Sequence, residues 1–161
     1  MREIVFSMKM KRYAAVFLLA LPAIAFAQNA ANDLDALLAA DTVTAADAAR
    51  FALEAADLLP WGLTGAEAEK AAWETASSKG WIKKARGEAL TLKDTAFLVM
   101  KAFNLKGGVM YSLFKSPRYA YREMVYQRLI SGAADPAMPV TGSKFLQILG
   151  ATLHYTGRGV K

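Results

Sequence analysis

LTLKDTAFLVMKAFNL, residues 90–105, is the stretch from which the rest of the chain can be read. Thr91 followed three residues later by Asp94 is a helix start: the hydroxyl accepts an otherwise unpaired N–H, and the acid sits at the positive end of the peptide dipoles. Ala96, Phe97, Leu98, Val99, Met100, Ala102 and Phe103 then follow, apolar almost all round. Such a helix is expected at the centre of a core, because a peripheral helix keeps a polar face.

The same opening occurs on either side. Thr44 with Asp47 precedes Phe51, Leu53, Ala55, Leu58 and Leu59, and Thr141 precedes Phe145, Leu146, Ile148, Leu149 and Leu153. Ahead of two of these segments lies a second pattern. Ala72-Trp73 and Trp81-Ile82 recur as Ala120-Tyr121 and Leu129-Ile130, a period of about 48 residues. A repeat of that length means stacked helical units sharing one core.

The punctuation predicts where helices begin and end. Pro60-Trp61-Gly62 is expected to stop the Thr44 helix, Thr64 to cap the next, and Lys79-Gly80 to close it. Gly107-Gly108 is expected to end the Thr91 helix. Val109 to Phe114 reads as a short apolar segment closed by Pro117, and Tyr119 to Leu129 as a helix terminated by Ser131-Gly132, with turn chemistry in Ala133-Ala134-Asp135-Pro136. The last helix runs from about Ser143 to His154. With no strand-like alternation, the expected fold is all-α, a compact bundle of five or six helices from helix-turn-helix repeats.

Residues 1–27 read as a signal peptide. Arg2, Lys9, Lys11 and Arg12 form a basic start, Tyr13 to Ala25 is an apolar run of 13 residues, and Ala25-Phe26-Ala27 is a small-x-small cleavage pattern. The run is too short to span a bilayer stably, and no later run is long enough, so no transmembrane segment is expected after cleavage. An exported, periplasmic or cell-envelope location is the expectation. Residues 28–41 read as an N-terminal lead-in with Leu34, Leu37 and Leu38 on one face, residues 42–156 as a single helical repeat domain, and residues 157–161 as a frayed tail.

The chain contains no cysteine, which excludes disulfides, thiolate metal sites and a lipid-modified N-terminal cysteine. Charge is unevenly spread. Residues 28–78 carry a net −7 and residues 79–161 a net +10. That asymmetry reads either as a cationic surface for an anionic partner or as two halves that neutralise each other within the fold.

The aromatic helix, its Gly-Trp-Ile or Leu-Ile exit and the Thr-led helix resemble the surface-layer-homology repeat over roughly Asp41 to Tyr155. The resemblance implies three copies packed as a pseudo-threefold helical bundle that holds proteins on cell-wall polysaccharide or peptidoglycan. In that family the Thr-led helix usually starts Thr-Arg-Ala-Glu. Here Thr44-Ala45-Ala46-Asp47 and Thr91-Leu92-Lys93-Asp94 keep the threonine and an acid, and Thr141-Gly142-Ser143-Lys144 keeps the threonine alone. The arginine that contributes to the family's glycan contact is missing from every copy. The stretch from Gly107-Gly108 to Tyr155 also resembles uncharacterised exported proteins of spirochaetes.

Binding chemistry concentrates between Tyr111 and Arg128. Lys115, Arg118, Arg122 and Arg128 interleave with Tyr111, Phe114, Tyr119, Tyr121 and Tyr126. Arg118 and Arg122 share a helix face at i,i+4 spacing, and guanidinium groups offer paired donors to carboxylates or phosphates. Tyrosine rings stack on sugars or on other side chains. The candidate ligand-binding residues are therefore Arg118, Arg122, Tyr119, Tyr126 and Lys115, with Trp61 as the most exposed tryptophan. Tyr121, at the repeat position of Trp73, is expected in the core.

Catalysis finds little to work with. His154 is the only histidine, so a histidine-rich zinc site would need a second chain. Glu67 and Glu69, like Asp33 and Asp35, point apart at i,i+2 spacing. Lys106-Gly107-Gly108 lacks the Lys-Ser/Thr ending of a phosphate loop. The expectation is a non-catalytic binding or scaffolding module with no metal, cofactor or nucleic-acid partner, contacting peptidoglycan or another anionic envelope glycan. The runner-up is a protein-interaction subunit of an envelope or outer-membrane complex without glycan affinity, whose apolar segment Val109 to Phe114 docks a partner or a membrane surface.

Overall fold

Three threonines organise the helix starts in space as they do in sequence. In a computed structural model, residues 31–132 and 135–158 are described. The signal-peptide reading of residues 1–27 lies outside them, as do Ala133, Ala134 and residues 159–161. Seven helices occur among the described residues: α1 (31–39), α2 (Ala45–Ala55), α3 (Gly65–Ser78), α4 (Leu92–Ala102), α5 (Val109–Phe114), α6 (Pro117–Tyr126) and α7 (Gly142–Tyr155). The count exceeds the expected five or six because part of the 28–41 lead-in is helical and residues 109–114 make a helix of their own. The chain divides into two units, Met1–Ala36 and Leu37–Lys161, and the second holds every helix from α2 onward.

Thr44, Thr91 and Thr141 are the N-caps of α2, α4 and α7, and each hydroxyl accepts the N–H three residues on. The Thr44 and Thr91 hydroxyls also donate to Asp47 and Asp94 at 2.6 Å. The third copy lacks the acid, and Lys144 instead sends its Nζ to the Ser131 carbonyl at 2.7 Å. Thr64 holds the N-cap position of α3 without a side-chain cap bond, so that expected cap is positional only.

The residue before each capping threonine builds the centre. Val43 N–H donates to the Val140 carbonyl, Val140 N–H to Leu90, and Leu90 N–H to Val43, each at 2.9 Å. The three bonds close into a ring. All three residues are buried, so the ring satisfies six backbone groups that would otherwise be costly there. It also leaves the N-terminus of each Thr-led helix facing the loop that enters a neighbouring one. Ala45 N–H donates to Glu88, Leu92 N–H to Met138 and Gly142 N–H to Ala40, at 2.9, 3.0 and 2.9 Å. These loop carbonyls take first-turn donors that have no partner inside their helix.

The helix ends correct several expectations. Pro60-Trp61-Gly62, Gly107-Gly108 and Ser131-Gly132 are not the stops. Helices α2, α4 and α6 end earlier, where Asp57, Asn104 and Arg128 adopt positive φ of 56°, 50° and 60°. At each of these ends the next N–H folds back: Leu58 to Leu53, Leu105 to Met100 and Leu129 to Met124, at 2.9, 2.9 and 2.8 Å. A left-handed residue followed by a hydrophobic one that packs back is the Schellman stop, satisfied here without glycine. Gly80 ends α3 in the same way at φ 68°, as expected. Pro117 does not close a segment; it opens α6 at its first position, where a missing N–H costs nothing.

Helices α2, α4 and α7 contact one another, with α3 packed on α2, α6 on α4 and α5 on α6. Alanines let α2 and α3 approach closely: Ala45, Ala48, Ala49 and Ala52 are buried in α2, and Ala68, Ala72 and Ala76 in α3. Helix α4 is central as its composition predicts, with eight of its eleven residues buried. Phe145, Leu53, Leu98, Met100, Met124 and Ile148 are among the largest fully buried side chains, and all belong to one cluster. Each contributes about 1.5–3 kcal/mol by leaving water.

The repeat positions agree in detail. Ala72 and Ala120 are buried, Trp73 and Tyr121 are half-buried against the core, and Ile82 and Ile130 are buried. Arg128 occupies the slot of Gly80, so its backbone has a structural task. Arg158, the last described residue, donates to the Ala56 carbonyl at 3.1 Å and lies over the Phe103 ring.

Candidate functional site

Helix α5 is held against α6 by a small set of contacts. Tyr111 is its one buried residue, and burial pushes that phenol above its ordinary pKa. The Tyr111 ring passes so close to Gly107 that an added Cβ would lie 2.5 Å from its Cδ1. Gly107 is therefore a seat for the ring, whereas the sequence suggested a helix stop. Beside it, Glu123 Oε2 accepts the Gly108 N–H at 2.9 Å. Gln127 Nε2 donates to the Lys106 carbonyl at 3.1 Å and to Glu123 Oε1 at 2.8 Å. Two polar side chains of α6 thus hold the strand of chain that leads into α5.

At its other end α5 stops at Lys115, which takes a left-handed φ of 39° and returns its N–H to Tyr111. The chain then reverses, and the Phe114 and Tyr119 rings stack with centroids 5.3 Å apart. The result is an open cleft of about 270 Å³ between α5 and α6, lined by Gly108, Val109, Met110, Tyr111, Tyr119, Arg122, Glu123 and Tyr126.

Three expected site residues meet in this cleft. Tyr119, Arg122 and Tyr126 lie at i, i+3 and i+7 of one α6 face. Tyr119 is half-buried, while Tyr126 is 84% exposed and stands at the lip. No ion pair of Arg122 occurs among the described residues. Glu123 is the nearest acid in sequence, and its oxygens are already engaged by Gly108 and Gln127. The guanidinium is free to take a carboxylate or phosphate, with phenol rings on either side for stacking.

The other expected residues lie elsewhere. Lys115 and Arg118 are exposed but do not line the cleft, and Trp61 is fully exposed in the connection between α2 and α3. Tyr121, half-buried, packs at the edge of the core. Sequence reasoning missed Glu123 and Gln127, which shape the cleft rather than bind in it. One signal was present: Glu123 is the only acid between Asp94 and Asp135.

His154 is exposed in the last turn of α7. Among the described residues no cluster of His, Cys, Asp or Glu is arranged to hold a metal ion, and no helix is long and apolar enough to cross a membrane. The acidic and basic halves meet in at least one ion pair, Arg86 with Glu69 at 3.0 Å. Compared with family models, curated proteins and solved structures, the chain matches none.

Proposed function

We propose that the chain is a non-catalytic binding module of the cell envelope, built from degenerate surface-layer-homology-like repeats, whose α5–α6 cleft takes an anionic sugar of peptidoglycan or a related envelope glycan. The observation that carries this reading is Arg122, a guanidinium without an ion pair among the described residues, in a cleft edged by Tyr119 and Tyr126. Phenol rings offer flat apolar faces to pyranose rings, and the guanidinium offers paired donors to a sugar-borne carboxylate. The ring of Val43, Leu90 and Val140, with a capped helix leaving each residue, supports the repeat likeness. With the arginine missing from every Thr-led helix, the α5–α6 cleft is the candidate anionic-ligand site.

Sedimentation with purified peptidoglycan tests this. Binding should weaken with added salt. Arg122→Gln should lower affinity about tenfold, the worth of one charge-assisted contact, while Arg118→Gln, outside the cleft, changes it little. Absence of binding at low salt, or equal loss with the two variants, would refute the assignment.

A further inference from the structure

Helix α5 carries four exposed apolar side chains. Val109 and Leu113 are 74% and 70% exposed, and Met110 and Phe114 are 50% and 59% exposed. All four come from a helix of six residues, and their i, i+1, i+4, i+5 spacing places them on one broad side. A contiguous exposed patch of this kind marks an interaction surface.

Charge decides between occupants. From Thr95 to Arg122 the chain carries five cations and no acid. Four of the five surround α5: Lys106 precedes it, Lys115 ends it, and Arg118 and Arg122 follow on α6, all exposed. Glu123, the first acid after them, is bound to Gly108 and Gln127. Apolar side chains at the centre with cations around them match a surface that is negative outside and hydrocarbon beneath.

We infer that α5 and its basic surround form a seat for an anionic phospholipid surface, with Val109, Met110, Leu113 and Phe114 entering the interface and Lys106, Lys115, Arg118 and Arg122 meeting the phosphates. The seat is shallow: six residues lie on the bilayer and do not cross it. Helix α5 is fixed to α6 through Tyr111 and the Glu123–Gln127 contacts, so it docks as a preformed knob without ordering a disordered segment.

The chain has no cysteine, so Leu113→Cys accepts a single environment-sensitive fluorophore, and Lys83→Cys, exposed on the α3–α4 connection, provides the control position. With the full chain and mixed phosphatidylglycerol–phosphatidylcholine vesicles, the label at 113 should blue-shift and the label at 83 should not. Phosphatidylcholine alone should give little shift. Lys115→Gln/Arg118→Gln in the 113-labelled chain should weaken the vesicle-dependent shift roughly 30-fold, about fivefold per cation. Val109→Ser should weaken it roughly tenfold through lost apolar burial, with far-UV dichroism confirming an unchanged fold. No shift at 113, an equal shift with neutral vesicles, or self-association through α5 without vesicle binding would overturn the inference. Lys115 and Arg118 line no part of the Arg122 cleft, so the paired Lys115→Gln/Arg118→Gln variant separates lipid seating from glycan binding.

Discussion

Replacing Gly142 by alanine probes how tightly residues 37–40 close onto the start of α7. Gly142 follows the capping Thr141, as Ala45 and Leu92 follow theirs, yet here a Cβ would lie 1.6 Å from the Leu37 carbonyl oxygen and 2.7 Å from its carbon. The reason lies one residue back. Glu88 and Met138, the acceptors for Ala45 and Leu92, stand three positions before their threonines, whereas Ala40 stands four before Thr44. The chain therefore enters at a different height and crosses the start of α7 at backbone distance. Alanine would break the Gly142–Ala40 bond, worth about 1 kcal/mol. It would also lift Leu37, now 5% exposed, out of its contact at about 1.5–3 kcal/mol. Alanine's better helix preference returns about 0.5–1 kcal/mol, leaving a net loss of about 1.5–3.5 kcal/mol. Gly150 in the same helix is the control: it is exposed with nothing within 4 Å of an added Cβ, so Gly150→Ala should gain about 0.5–1 kcal/mol. Urea unfolding followed by far-UV dichroism measures both. A Gly142→Ala chain as stable as wild type, or two shifts of the same sign, would refute the close-approach reasoning.

The same geometry sets two further pairs of measurements. Thr91→Val removes the cap of α4 and should cost about 1 kcal/mol. Thr95→Val, one turn later, should gain up to about 1 kcal/mol, because the Thr95 hydroxyl is buried without a hydrogen-bond partner among the described residues; urea midpoints of opposite sign are expected, and matching signs would count against both assignments. Tyr111 gives a pH dependence. Burial raises its pKa in the folded state, so the folded chain holds a proton that the unfolded chain releases near pH 10. Its contribution is intact below that pH and is lost as pH rises from there through the raised folded-state pKa, so stability should fall more steeply above about pH 10 in wild type than in Tyr111→Phe. Equal slopes would mean the phenol is not shielded.

Much of the fold was legible in the residues. The three Thr-led starts were found because a cap is a local event: a hydroxyl and the N–H three residues on need nothing from elsewhere. The central role of α4 followed from a segment with no polar face. The helix ends were misread because glycine and proline are the usual stops, and here Asp57, Asn104 and Arg128 take the left-handed position themselves. Their strain is offset by the folded-back bonds of Leu58, Leu105 and Leu129. At the cleft, the basic aromatic segment from Tyr111 to Arg128 was legible, but spacing paired Arg122 with Arg118, whereas the cleft takes Arg122 with Tyr119 and Tyr126. Lys115 and Trp61 were grouped with them by residue type, and residue type carries no information about direction.

The sequence by itself determined that this is an all-helical chain with a recurring capped unit, because periodicity, caps and composition act within a few residues. Only the tertiary structure decided that the three units close on one another. The ring of Val43, Leu90 and Val140 joins backbone groups 47, 50 and 97 residues apart, and a backbone hydrogen bond leaves no mark on side-chain identity. The cleft was decided at the same level. Tyr111 packs over Gly107, and Glu123 reaches back to Gly108, which leaves an open cleft between α5 and α6.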